Sequence, residues 1–145
     1  MITSLAKTLY PECGYRPDGT LRAYFDSPDD YTPIIQSFGH VIVRIDEDGY
    51  EGDTFVLLGK DDRYGFLVFG WGSCSGCDAL QGCNSYDDID ALIAELENDI
   101  NWFDTFEAAK DYINDDLVRR GSYYYHAKNW AEFKSAVNAF AAPTP

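Results

Sequence analysis

The sequence predicts an α+β fold, an antiparallel meander of three to four strands packed against about three helices. Three β-branched, apolar runs between residues 38 and 71 are separated by short turn sequences, which is typical of consecutive antiparallel strands. After residue 85 the apolar residues recur at helical spacing instead of alternating. The chain has 145 residues, so we expect one domain.

The expected strands cover residues 38–45, 53–58 and 64–71, and Asp48-Gly49 is a hairpin signal between the first two. The second and third runs are almost continuously apolar, so we expect both faces of the sheet to be covered. The single domain, 1–145, begins with an irregular N-terminal segment (1–33), in which we expect a short helix at 2–9 and a short strand at 21–25. The antiparallel sheet (38–71) and a Gly/Cys loop (72–84) follow. A helical part (85–140), with a candidate short strand at 122–126, and a tail (141–145) complete the chain.

Three helices are expected in the helical part. The first is capped by Ser85, and its apolar positions run from Ile89 to Phe103. The second spans about 105–118. The third is capped by Asn129 and ends near Phe140.

The charge is strongly negative and unevenly distributed. The net charge is −14, yet residues 46–116 alone hold 19 acids and three bases. This composition argues against direct binding of nucleic acid or of anionic membranes, because both need clustered Lys and Arg. We also expect no transmembrane helix and no signal peptide, and hence a cytoplasmic protein.

The acids of residues 85–116 face only one base, Lys110. Such a run has two interpretations: a solvated face, or a face that imitates the phosphate backbone of a duplex and binds a basic protein. Under the second, charge reversal at Asp111 and Asp115 should weaken binding and leave the fold intact. The candidate interaction face is Asp87, Asp88, Glu95, Asp99, Glu107, Asp111, Asp115 and Asp116, together with Asp46, Glu47 and Asp48 of the first hairpin.

The Gly/Cys loop contains the pattern C-x2-C-x5-C, formed by Cys74, Cys77 and Cys83, and Cys13 is the fourth cysteine. Four sulfurs suit a zinc ion, so these residues are candidate metal ligands. A second C-x2-C or His pair is missing from the pattern. Buried structural thiols or a disulfide, and a redox-active pair, therefore remain open as alternatives.

Catalytic patterns are weak in this chain. His40 and His126 have no partner motif, and packed or surface roles suit them best. The acidic stretch 46–53 has a superficial likeness to a calcium loop but lacks its frame, so a solvated hairpin turn is the better interpretation. We therefore expect no enzymatic activity.

One resemblance adds context. The motif Gly70-Trp71-Gly72-Ser73-Cys74-Ser75-Gly76-Cys77-Asp78-Ala79-Leu80-Gln81, with Trp102-Phe103-Asp104 and Tyr123-Tyr124-Tyr125-His126, is similar to small bacteriophage proteins without an assigned activity. The likeness spans about residues 54–140. It implies a place in the host cytoplasm and interference with host or defence machinery.

The leading hypothesis is therefore an acidic protein that blocks a basic, nucleic-acid-handling protein such as a CRISPR effector or a restriction enzyme. A zinc-binding structural module is one alternative. A protein that binds or sequesters a small ligand is the other.

Overall fold

A computed structural model describes residues 4–124 and 127–140 of the chain. Its centre is one antiparallel sheet in the order β1-β2-β3-β4. The strands are β1 (His40–Asp46), β2 (Glu51–Lys60), β3 (Arg63–Gly72) and β4 (Asn101–Phe103). The α+β class and the meander of three consecutive strands are confirmed.

The turn between β2 and β3 is a tight two-residue hairpin, because Lys60 pairs directly with Arg63. Its two residues, Asp61 and Asp62, have φ angles of 51° and 62°. Two consecutive left-handed residues are the signature of a type I′ turn, whose twist matches that of the strands. Aspartate tolerates this backbone region better than most residues, although Asn-Gly suits it best.

Replacing Asp61-Asp62 with Asn-Gly should therefore raise the free energy of unfolding by about 1 kcal/mol. Urea denaturation measures the change. The matched control is Ala-Ala, which removes the same two charges but is strained at positive φ, and it should destabilise the protein. If both double variants shift the midpoint equally, charge removal and not backbone strain is responsible.

In the described part of the chain, six α-helices lie around the sheet, and a 3₁₀ turn at Pro11–Cys13 follows the first of them. They are α1 (Leu5–Leu9), α2 (Thr32–Phe38), α3 (Tyr86–Asn98), α4 (Phe106–Asn114), α5 (Asp116–Arg119) and α6 (Lys128–Ala139). The three longest, α3, α4 and α6, are the helices that the apolar period predicts.

Alternation along β2 and β3 creates two separate cores. Val56, Leu58 and Leu67 point to one face, where they pack with α1, α2 and α3. Phe55, Leu57 and Phe66 point to the other, where α4 and α6 cover them. The predicted burial of both sheet faces is thus confirmed, and the molecule has three layers.

The segment after α3 departs from the predicted helix. Asn101–Phe103 form β4 and pair with β3 at Tyr64–Phe66. Gly65 permits this pairing, since a Cβ there would lie 2.8 Å from Ile100 Cγ2 and 2.9 Å from Trp102. Residues 100–103 continue the apolar spacing of α3, so periodicity alone could not separate them from the helix.

The predicted helix at 105–118 ends early. Asp115 leaves the helical backbone (φ −75°, ψ 95°), and its carboxylate accepts the N–H groups of Leu117 and Val118, which begins α5. This local carboxylate–backbone bonding competes with helix continuation.

The structure differs from the sequence prediction at further places outside the central strands. The helix α2 was not predicted, although Pro33 sits in its first turn, where proline is tolerated. The expected strand at 21–25 is reduced to one bridge between Tyr15 and Leu21. Residues 122–124 form no strand, and residues 125 and 126 lie outside the described part. The last helix begins after Ala127, not after an Asn129 cap, and 141–145 are not described.

Candidate functional site

A buried carboxylate, Asp78, anchors the Gly/Cys loop from inside. Only 4% of the residue is exposed to solvent. It accepts hydrogen bonds from the N–H of Gly72 (3.1 Å), the hydroxyl of Tyr31 (3.0 Å) and the N–H of Gln81 (2.9 Å). The Tyr31 hydroxyl in turn accepts from the N–H of Leu80 at 3.2 Å. Asp78 therefore ties both ends of the loop to the residue that precedes α2.

Close backbone contacts make the loop compact. A Cβ on Gly72 would lie 2.6 Å from the Cys77 carbonyl oxygen and 2.8 Å from Cys77 Sγ. A Cβ on Gly82 would lie 2.9 Å from the Ser75 carbonyl oxygen. The Gln81 side-chain amide donates to the Gly72 carbonyl oxygen at 2.9 Å. The glycines, Asp78 and Gln81 of the sequence motif thus have direct structural roles.

The loop presents Cys74 and Cys77 to solvent. Both residues are exposed, and the two sulfurs form a disulfide across a Cα–Cα distance of 5.3 Å. The N–H groups of Cys77 and Asp78 donate to the Cys74 carbonyl oxygen at 3.1 and 3.0 Å. The Cys74 N–H donates to Cys77 Sγ at 3.0 Å. The pair is therefore held in a turn whose backbone is already hydrogen-bonded.

Cys13 and Cys83 have the opposite environment. Both are buried in the core between the sheet and α1, α2 and α3. Burial, and then the nearby Asp26, raises the pKa of Cys13 to about 11. Burial, followed by Asp88 and Asp78, also raises the pKa of Cys83. Both residues are therefore protonated core thiols at neutral pH.

The candidate metal ligands Cys74, Cys77, Cys83 and Cys13 are not brought together in this fold. Within residues 4–124 and 127–140, no group of three or more His, Cys, Asp or Glu side chains is placed to hold a metal ion. The reason is local: the tight turn pairs the first two sulfurs at the surface, while the other two point into the core.

An open cavity of about 810 Å³ lies beside the loop. Ser75, between the two exposed cysteines, lines it together with Cys13 and Gln81. Its charged lining residues are Glu12, Asp26, Asp29 and Arg22, so acids outnumber bases. The turn that holds the disulfide therefore borders a cavity whose lining carries more negative than positive charge.

The two acidic helices lie on opposite faces of the sheet. α3 packs into the core with α1 and α2, whereas α4 packs into the core with α6. The chain passes from one layer to the other through the edge strand β4. The acids of α3 and α4 are therefore divided between the two sides of the sheet, and they form a band around the β4 edge.

Several predicted interaction residues have local structural partners. The Asp88 carboxylate accepts the N–H of Asn84 at 2.9 Å, and Asp116 pairs with Lys134 at 3.6 Å. Asp115 caps α5. Reversal of Asp115 would therefore remove a cap, which typically costs about 1 kcal/mol, so the expectation that its reversal leaves the fold intact is not supported. Asp87, Glu95, Asp99, Glu107 and Asp111 are exposed.

The hairpin acids are separated from this band. Asp46 ends edge strand β1 and Glu47 and Asp48 follow it, on the side of the sheet away from β4. Asp46 pairs with Arg44 at 3.1 Å and accepts the Thr54 hydroxyl at 2.5 Å. The hairpin therefore does not share a surface strip with β4.

Sequence reasoning missed a second buried acid in the stretch interpreted as a solvated turn. Asp53 is only 9% exposed and accepts the Tyr123 hydroxyl at 2.7 Å. Burial and then Asp53 raise the pKa of the neighbouring Glu47. The period-2 pattern of β2 was the available signal, since it turns the Asp53 side chain inward with Phe55 and Leu57.

His40 is exposed at the start of β1, and His126 lies outside the described residues.

Comparison of the chain with protein-family models, with curated proteins and with solved structures gives no match. None of the helices in the described part combines the length and apolarity needed to cross a membrane.

Proposed function

We propose that this protein is an acidic binding protein that occupies the nucleic-acid groove of a basic protein, of the class of a CRISPR effector or a restriction enzyme, without itself catalysing a reaction. The observation that supports it is the band of exposed carboxylates around the β4 edge. Glu95, Asp99, Asp104, Glu107 and Asp111 are all exposed and follow one continuous segment of chain.

The band is poorly neutralised. Of its five carboxylates, only Asp104 forms an ion pair with another described residue, at 3.4 Å from Arg63. Both side chains of that pair are at least half exposed, so the pair contributes little. Lys110, three residues after Glu107 on α4, is a second base at helical spacing from these acids. Five carboxylates against these two bases leave a negative field suited to attract a basic surface.

The spacing of the band is compatible with a nucleic-acid groove. Glu107 and Asp111 are one turn apart on α4, or about 6 Å along the helix axis. Successive phosphates of one strand rise by about 3.4 Å along the duplex axis, so the axial separation of the two carboxylates corresponds to roughly two nucleotide steps. We therefore expect fewer ionic contacts than a duplex makes, and strongly salt-dependent binding.

Capture of partners from a bacterial lysate tests the proposal. The tagged full-length protein should retain a DNA- or RNA-handling protein at low salt, and added duplex or high salt should release it. A partner that binds the protein and the duplex at the same time would contradict groove occupancy. Capture of no nucleic-acid-handling protein would leave the band as a solvated face.

Paired charge reversals locate the binding face. Glu107→Lys/Asp111→Lys should weaken binding to the captured partner by about tenfold or more, because it places two cations in the band. The matched control is Asp48→Lys/Glu51→Lys, which changes the net charge equally at the distant hairpin. Titration calorimetry at two salt concentrations measures both. Equal losses in the two variants would show that total charge, not this band, determines affinity.

A further inference from the structure

The exposed disulfide is the strongest feature that the proposed binding function does not use. Cys74 and Cys77 are exposed in a turn that is fixed by Asp78, Gly72 and Gln81. The other two cysteines are buried in the core. The fold therefore separates one exposed sulfur pair from two buried thiols.

We propose that Cys74–Cys77 is a reversible thiol–disulfide exchange site, with Cys74 as the sulfur attacked by an external thiol and Cys77 as the leaving and resolving sulfur. This inference is independent of the acidic band.

The assignment of roles rests on the asymmetric surroundings of the two sulfurs. Cys77 Sγ already accepts the Cys74 N–H at 3.0 Å, a contact that would stabilise the thiolate released from it. Cys77 Sγ also lies against the backbone of Gly72, which covers one of its sides. Exchange is faster when the departing thiolate is stabilised, so attack at Cys74 is favoured.

The exchange is balanced in atoms and electrons. A thiolate RS⁻ attacks Cys74 Sγ, the S–S bond breaks, and its electron pair goes to Cys77 Sγ. A second RS⁻ then attacks the sulfur of the bound R group and releases the Cys74 thiolate. The sum is reduction of the disulfide to two thiols: the two RSH are oxidised to RSSR, and the two protons that they lose are taken up by the Cys74 and Cys77 thiolates. In reverse, the Cys77 thiolate attacks the mixed disulfide on Cys74 and expels RS⁻.

The charge beside the turn favours a particular thiol. Glu12, Asp26 and Asp29 line the adjacent cavity against one base, Arg22. An anionic thiol such as glutathione is disfavoured there, whereas a cysteine in a Lys-rich peptide is attracted. Two probes distinguish these sources: glutathione, and a synthetic peptide with one cysteine between lysines. We expect the peptide to react faster, and high salt to reduce the difference.

A trapping experiment on the full-length protein tests the exchange. Wild-type protein is equilibrated with glutathione buffers of varied ratio, and intact-mass and peptide mapping count the alkylated cysteines. Cys74 and Cys77 should convert together and reversibly, while Cys13 and Cys83 remain thiols throughout. The proposal is overturned if Cys74 and Cys77 stay reduced, or stay oxidised, at every ratio.

Single variants test the assignment of roles. Cys77→Ser and Cys74→Ser each leave one exposed sulfur, and both positions are exposed, so the fold should tolerate them. With oxidised glutathione as probe, each variant should form a stable mixed disulfide, because it lacks the second sulfur that would resolve it. In wild type the mixed disulfide is transient. It should lie on Cys74 in about tenfold excess over Cys77, the factor expected of one hydrogen bond to a thiolate. Rapid acid quenching and peptide mapping measure this ratio, and an excess on Cys77 would refute the assignment.

Discussion

Replacing Asp78 with alanine is expected to lower the free energy of unfolding by about 3 kcal/mol or more. Only 4% of the Asp78 residue is exposed to solvent, and its carboxylate accepts three hydrogen bonds. Alanine would leave the N–H groups of Gly72 and Gln81 and the Tyr31 hydroxyl without their acceptor. Each unsatisfied buried donor costs about 1–3 kcal/mol, and relaxation of the loop offsets part of the sum. Urea denaturation measures the loss.

Two further variants separate the anchor from a general effect of charge. Asp78→Asn keeps Oδ1, which accepts from Gly72 and Tyr31, but replaces the Oδ2 that accepts from Gln81, so it should cost less than alanine. Asp87→Ala removes an equal charge from an exposed position in the first turn of α3 and should cost less than about 1 kcal/mol. If Asp78→Ala unfolds at the same urea concentration as Asp87→Ala, the buried carboxylate does not hold the loop.

The loop also shows what the sequence could predict of the candidate site. The pattern of Gly72, Cys74 and Cys77 marked it as unusual and left a disulfide among the alternatives. Which sulfurs meet depends on burial, and burial of Cys13 and Cys83 follows from packing between elements distant in sequence. The same holds for Asp78, whose partner Tyr31 lies 47 residues earlier.

The strands and long helices were predictable because their apolar spacing is local and strong. The errors arose where one pattern fits two structures. Residues 100–103 extend the helical spacing of α3 yet pair with β3, since Gly65 leaves room for Trp102. Asp115 ends α4 through bonds to two backbone N–H groups that no periodicity reports.

The acidic band was predictable only as charge. Sequence spacing places Glu107 and Asp111 on one side of α4, and the structure agrees. The relation between α3 and α4 depends on the short edge strand β4, which carries the chain from one sheet face to the other. Sequence spacing could therefore not show whether the acids of α3 and α4 share one surface, and the three-layer packing arranges them as a band around the β4 edge.

The layer that carries α4 depends on Trp130, and its replacement by alanine should cost about 3–5 kcal/mol of unfolding free energy. Trp130 is 1% exposed. Its ring lies 5.0 Å from Tyr124, 5.5 Å from Phe55 and 5.7 Å from Phe133, measured between centroids. Truncation removes these contacts and leaves a cavity between α6 and the sheet. Urea denaturation, monitored by far-UV circular dichroism because the variant lacks one tryptophan fluorophore, measures the loss.

The matched control is Trp130→Phe, which keeps an aromatic ring in the same place. The indole Nε1 of Trp130 has no hydrogen-bond partner among the described residues, so phenylalanine sacrifices volume but no hydrogen bond. We therefore expect it to recover more than half of the alanine loss. Equal losses for the two variants would mean that an indole-specific contact, and not ring packing, holds α6 on the sheet. Because α4 and α6 share this core, the proposed binding through α4 predicts that Trp130→Ala weakens partner capture, whereas Trp130→Phe leaves it nearly unchanged.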